Sequence, residues 1–506
     1  MNITVNHRSQ TPIYRQIKNQ IKEMILKEEL PDDSVLPSER VMAKIADVHR
    51  NTIIKAYNEL KADGFISASQ GKGYRVTYRS VGESSFEQNE TKEKNEDLKK
   101  SKSVLWSHLI RQPVLDLETT FDDLFSRSYD NGNISFAGGI AAPESYYGAD
   151  LALILEQLIA ESKESKEKKD DLYAYTPYQG LFELRQAISV FLQGKGINAR
   201  HGEIQIVSET NQAIDYLTEL FIDEGDVVIT EEPISPDVFR ELRLAGAKII
   251  TVPVDEEGMI TDRIEPLIVK YHPKFIYVNS SYHDPTGIIM SLRRRKALLK
   301  LSYQYHVPII EDDGASEICY QEKQTPSLKA LDTRNSVIYI YSFALTFAPG
   351  IRVAFVVAPR VVIKNFSHLI SLRLVSFDSL SQRLLCTYMK NGTYQKNLRG
   401  ICEDYRKKRD LMCDCLKAAE DFGVTFNKPK GGVYIWCKLP ENMNLSRLLE
   451  LAGKKGVTFI PGSVFFPYGT KGEQYIRLNY SYPGLEQIEK GMDLLLEAME
   501  QSLEKD

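Results

Sequence analysis

A chain of 506 residues exceeds what one ordinary hydrophobic core supports and predicts two or more domains. Its 42% hydrophobic and 26% charged content excludes an intrinsically disordered chain, and no apolar run approaches the ~20 residues of a membrane helix. The net charge of −5 is uneven, because residues 1–78 hold 12 Lys+Arg against 9 Asp+Glu, or +3, leaving −8 for the remainder.

In TPIYRQIKNQIKEMILKEEL, Ile13, Ile17, Ile21, Met24 and Ile25 share one helical face. SERVMAKIADV predicts a second, shorter helix, with Ser38 as its cap and Pro37 just outside. A tight connection over Val48, His49 and Arg50 leads into NTIIKAYNELKADG, which turns Ile53, Ala56, Tyr57 and Leu60 to the core, with Gly64 placed to end it. FISAS and YRVTY follow as short strands joined by Gln70-Gly71-Lys72-Gly73. Three helices and a glycine-tipped hairpin suit a winged helix-turn-helix over residues 1–78, or a small protein-interaction domain of the same build. In the DNA reading the third helix enters the major groove by its N-terminal end, where free amides and Arg50 meet phosphates and base edges. Arg40 fixes register on the backbone, and Lys72 reaches the adjacent groove.

Residues 79–115 form the connection. VGESSFEQNETKEKNEDLKKSKS, at 81–103, carries both charges and one large apolar residue, Phe86. Such a stretch buries too little surface to offset the entropy of ordering it, and predicts a flexible linker or, given its Glu and Lys, a solvated helix. The N-terminus has no apolar leader core, and the six cysteines lack zinc-site or CxxC spacing. A cytoplasmic protein with reduced thiols, no metal site and no membrane contact is expected.

Residues 116–506 alternate strand-like and helical runs, the mark of an α/β domain with a mostly parallel sheet. IQIVS, DVVIT, AKIITVPV, KFIYVNS, VPIIEDD, SVIYIYS and VAFVVAP are short and rich in β-branched residues, as strands buried on both faces are. GLFELRQAISVFLQGKG and SLRRRKALLKLSYQYH read as helices between them. Ligands in such sheets sit beyond the carboxyl ends of the strands, which makes the residues just after each strand the candidates.

Two resemblances sharpen this reading. PIYRQI, LPSER, RNTIIKAYNEL and GFISASQGKG together resemble the GntR family of bacterial regulators along residues 10–78. The resemblance implies that Arg40, Arg50, Thr52 and Lys72 touch operator DNA; His49 departs from the serine common before the arginine. From about residue 133 to 500, YTPYQGLFELR, HDPTG, IIEDD, SFALTFAPGIR, GGVYIW and IRLNYS resemble the aminotransferases of fold type I that use pyridoxal phosphate (PLP). The two halves joined by a linker resemble the MocR-type, or GabR-like, regulators.

That second resemblance also implies which parts of a PLP site are present. Asp312 matches the carboxylate on the pyridinium nitrogen, Arg352 the phosphate-binding arginine, and Tyr175 a tyrosine reaching the neighbouring subunit's phosphate. Against this, Leu345 stands where the family's S-F-S-K-T loop has the lysine that forms the aldimine, and leucine has no amine. Ala344 replaces a phosphate-binding serine and Glu209 sets a carboxylate where the phosphate is cradled. Ser235 replaces an aromatic that stacks on the ring, Asp284 an asparagine-type residue, and Gly314 a tyrosine. No catalytic residue is therefore assigned. A cofactor is not expected, PLP being admissible only non-covalently. Arg477 matches the arginine that grips an α-carboxylate, which suits an amino-acid or other carboxylate effector, or else a structural ion pair. The expected protein is a homodimeric DNA-binding regulator whose body senses a small molecule or is purely structural.

Overall fold

The isoleucines repeating every fourth residue build helix α1 (Ile13–Leu26), with Ile17, Ile21 and Ile25 fully or almost fully buried. The computed structural model describes residues 3–5, 13–26, 29–31, 34–62, 65–69, 73–76, 109–111, 114, 120–126, 132–146, 149–164, 172–322, 324–374, 376–466 and 471–503. Helix α2 (Glu39–Ile45) starts where Ser38 Oγ accepts from the Val41 amide at 3.4 Å, the expected cap. It stops earlier than the spacing predicts, because Asp47 takes a left-handed conformation (φ 51°) and makes the turn itself. Helix α3 (Arg50–Ala62) consequently begins at Arg50. Its buried Ile53, Ala56, Tyr57 and Leu60 face α1, each such side chain contributing about 1.5–3 kcal/mol if large and apolar. The hairpin of β1 (Ile66–Ser69) and β2 (Gly73–Val76) sets Ile66 opposite Val76 and Ser69 opposite Gly73. Tyr57 ties the hairpin to the helices: its ring meets Tyr74 edge-on at 4.7 Å and its hydroxyl donates to Pro37 O at 2.8 Å. This unit is a winged helix-turn-helix.

The chain divides into units Met1–Arg111 and Gln112–Asp506, a division that falls within the stretch read as a linker. Most of residues 79–115, Gly64 and Lys72 lie outside the described residues.

All seven strands expected in the body are present, in one eight-stranded sheet. β4 (Ile204–Val207), β5 (Val227–Glu232), β6 (Lys248–Asp255), β7 (Gly258–Met259), β8 (Phe275–Val278), β9 (Ile309–Asp312), β10 (Val337–Ser342) and β11 (Ala354–Val357) lie in the order β4-β11-β10-β9-β8-β5-β6-β7. From β10 through β6 every neighbour is parallel, while β11 runs against both β10 and β4. β4, β8, β9 and β11 are buried at every position, which explains their unbroken hydrophobicity. Helices α4 (Phe182–Gly194), α5 (Thr210–Phe221), α6 (Pro236–Leu244) and α7 (Leu292–Tyr305) pack on the sheet. In a smaller lobe, β12 (Thr425–Phe426), β13 (Tyr434–Lys438), β15 (Ile460–Pro461) and β16 (Tyr475–Asn479) form an antiparallel sheet ordered β12-β13-β16-β15. Beside it, β14 (Val457–Thr458) pairs with β3 (Ile134–Ser135). Leu345 packs against this lobe's core.

Candidate functional site

The parallel strands end around one cavity of about 220 Å³. β5 delivers Glu231, β8 is followed by Asn279, β9 ends in Asp312 and β10 in Ser342, as a doubly wound sheet requires of its site. α5 adds Thr210 and Asn211, and β13 adds Tyr434 from the smaller lobe. Five of the departures read from the sequence, Ser235, Asp284, Gly314, Ala344 and Leu345, meet on this wall. The sixth, Glu209, immediately precedes Thr210.

Leu345 contributes a side chain without charge, and its main-chain oxygen accepts from Tyr146 Oη at 3.0 Å. Among the described lining residues there is no lysine or arginine. Asp312 is held by two neutral donors, Tyr277 Oη at 2.7 Å and the Gly314 amide at 3.3 Å. Burial pushes its carboxyl up to about 6, against the pull of those two bonds. Burial also raises the Glu231 carboxyl to about 8, although the Asn279 amide donates to it at 2.6 Å, and lowers the His283 imidazole to about 3. At neutral pH the 3.6 Å contact of Glu231 and His283 is therefore between two uncharged groups.

Both arginines expected to grip anions are already engaged. Arg477, in the middle of β16, is 1% exposed and does not line the cavity. Its Nη1 donates to Asp284 Oδ1 at 2.7 Å, and its Nη2 to Ala137 O at 3.1 Å and Gly138 O at 3.3 Å. The guanidinium lies 4.2 Å from the Tyr434 ring centre and 4.9 Å from that of Phe465, and its Nε has no hydrogen-bond partner among the described residues. Burial pushes the Asp284 carboxyl up, and the Arg477 guanidinium, which keeps its proton, opposes that rise. Of the two readings of Arg477, the geometry is that of an ion pair. Arg352, left-handed at φ 52°, is paired with Glu209 across a half-exposed surface. Tyr175 is 82% exposed and is not brought to the cavity of its own chain.

These residues do not fit covalently held PLP. The described lining residues offer no amine, and the arginine matched to the phosphate faces a carboxylate of its own chain. Spacing alone did not single out Glu231, Tyr277 and Tyr434. Each lies in or beside a strand with an apolar pattern, and the signal that finds them is position near a strand end beside a polar neighbour.

In the winged helix, Arg40 and Arg50 are exposed and Thr52 is partly buried at the first turn of α3. Arg50 donates to Glu39 Oε2 from Nε at 3.1 Å and from Nη2 at 2.7 Å, while Tyr74 Oη donates to Glu39 Oε1 at 3.0 Å. A carboxylate thus holds the foremost basic side chain of the recognition helix in place.

The fold and these two sites define a winged-helix regulator fused to an aminotransferase-type body. Residues 13–76 match the bacterial regulatory proteins of the gntR family, and residues 144–494 match aminotransferase class I and II. The chain is 30% identical over 482 residues to "Uncharacterized HTH-type transcriptional regulator YdfD" of Bacillus subtilis, covering 95% of each chain. It is 25% identical over 462 residues to "Probable rhizopine catabolism regulatory protein MocR" of Rhizobium meliloti, covering 91% of this chain and 88% of that one. The crystal structure of LysN, the α-aminoadipate aminotransferase of Thermus thermophilus, complexed with N-(5'-phosphopyridoxyl)-L-leucine, has a TM-score of 0.72 at 29% identity, over 79% of this chain and 99% of that one. The chain belongs to the MocR-type subfamily of the GntR regulators. No described helix is long and apolar enough to cross a membrane.

Proposed function

We propose that the aminotransferase-like body of this regulator performs no transamination and serves instead as its dimerisation and small-molecule-sensing module, while the winged helix binds operator DNA. The observation that carries the reading is Leu345 on the cavity wall, at the position that the SFALTFAPGIR loop aligns with the aldimine lysine. A Schiff base needs an amine, and neither this residue nor any other described lining residue is a lysine. The cavity itself is kept, with Asp312 at its base, so a ligand site persists without the nucleophile. Exposed Tyr175 suits a two-fold dimer in which it serves the other subunit's cavity. The proposed domain limits are residues 1–78, 79–115 and 116–506.

Two winged helices on one dimer bind two half-sites, and their avidity depends on how linker length matches half-site spacing. An effector then acts by favouring one arrangement of the bodies over another. The test selects bound genomic fragments with the full chain and compares it with residues 1–78 on them by fluorescence anisotropy. The full chain is expected to bind paired half-sites about 10²–10⁴-fold more tightly. Equal affinity of the two would remove the dimerising role from the body.

A further inference from the structure

We propose that the cavity takes a small organic cation, a protonated amine with an apolar body, rather than PLP or a carboxylate. This rests on the reading of the body as a sensor and names the class of ligand it senses. The first ground is that the anion-binding groups are closed off within the chain. Glu209 pairs with Arg352 and Asp284 with Arg477, so an entering phosphate or carboxylate must displace a tethered one.

The second ground is the charge left on the wall. Four carboxyl side chains line the cavity, and three are accounted for. Asp284 holds Arg477, Asp237 accepts from Arg240 Nη2 at 2.5 Å, and Glu231 is largely protonated at neutral pH. Asp312 remains, 9% exposed, its carboxyl hydrogen-bonded only to Tyr277 and the Gly314 amide among the described residues. A buried carboxylate with neutral partners is stabilised most by a cation, whereas an anionic ligand would add like charge to it.

The third ground is independent of charge. Asn279 Oδ1, on the same wall, is buried and accepts no hydrogen bond among the described residues, while its Nδ2 donates to the main-chain oxygen of Asp312 at 3.2 Å. An acceptor without a donor thus shares the wall with a carboxylate whose two donors are both neutral. An ammonium supplies three donors and a positive charge; a carboxylate supplies neither. Ile234, Val238 and Leu345 give the rest of the wall an apolar surface for the ligand's body.

The experiment titrates the full-length chain with benzylamine and putrescine, and in parallel with phenylacetate, succinate and PLP, at one ionic strength, by calorimetry and thermal shift. The amines are expected to bind and to raise the melting temperature, and the anions not to. Asp312→Asn, which keeps shape and removes charge, should weaken the amines about tenfold or more. Asp284→Ala should do the reverse for phenylacetate: with Arg477 unpaired behind the wall, the carboxylate becomes a binder and restores lost thermal stability. Binding of the anions in preference to the amines by the parent chain, or binding of neither class, overturns the proposal. Operator binding measured in the same samples separates the two readings. An amine that binds without changing DNA affinity leaves the ligand class standing and removes the sensor. A carboxylate that binds and changes it does the opposite.

Discussion

Asp284 Oδ1 accepts from Arg477 Nη1 at 2.7 Å, so a side-chain carboxylate of the chain itself occupies the arginine for which the sequence resemblance implied a ligand. Glu209 likewise pairs with Arg352, across a half-exposed surface. Two separate departures in sequence thus have one physical effect, the internal neutralisation of the cations.

The Asp284–Arg477 pair is buried on the arginine side, so removing one partner leaves an uncompensated charge. Asp284→Ala should lower the stability of the body by about 3–5 kcal/mol, measured by denaturant unfolding followed by a body tryptophan such as Trp436. Replacing both residues by apolar ones of similar volume should cost less than that single change. A neutral single variant would show that Arg477 is satisfied by Ala137 O and Gly138 O alone.

Glu231 predicts a pH dependence. Its folded pKa, about 8, lies above the ordinary value of 4.5, so the folded state binds the extra proton between those two values. Its contribution is fully present below about pH 4.5 and is lost as pH rises through 8. His283, with a folded pKa of about 3 against 6.5, works the other way, but only below pH 6.5. From pH 6.5 to 8 the body should therefore lose stability, by at most about 1.4 kcal/mol per pH unit, and Glu231→Gln should flatten that slope. Equal slopes in the parent and variant, followed by thermal melting across this range, would place the Glu231 proton elsewhere.

The Arg50–Glu39 pair leads to a prediction on DNA binding. Arg50→Ala and Lys72→Ala should each weaken binding, and the salt dependence should flatten by about one unit for each phosphate that the variant no longer touches. Glu39→Gln, which releases Arg50 and removes a negative charge beside it, should tighten binding and steepen that dependence. Anisotropy titrations over a salt series distinguish these directions. Unchanged affinity in both basic variants would assign the DNA contacts to other residues.

Much of the fold is legible because its signals are local. The isoleucine spacing of α1, the Ser38 cap and the seven continuous apolar strands each follow from a short stretch of sequence. The end of α2 is not legible, since a left-handed Asp47 is one backbone choice among several that the sequence allows. In the site, motifs point to Leu345, Asp284 and Asp312, and the structure gathers them on one wall. What they face is hidden from the sequence. Asp284 and Arg477 lie 193 positions apart, and Glu209 and Arg352 come from different strand ends, so their pairing is a product of topology.

The most direct measurement incubates the purified full chain with PLP, reduces with borohydride and determines the intact mass. An unchanged mass is predicted, and Leu345→Lys should not by itself restore transamination, because Glu209 and Asp284 still hold Arg352 and Arg477. A single stoichiometric phosphopyridoxyl adduct on the parent chain would contradict it.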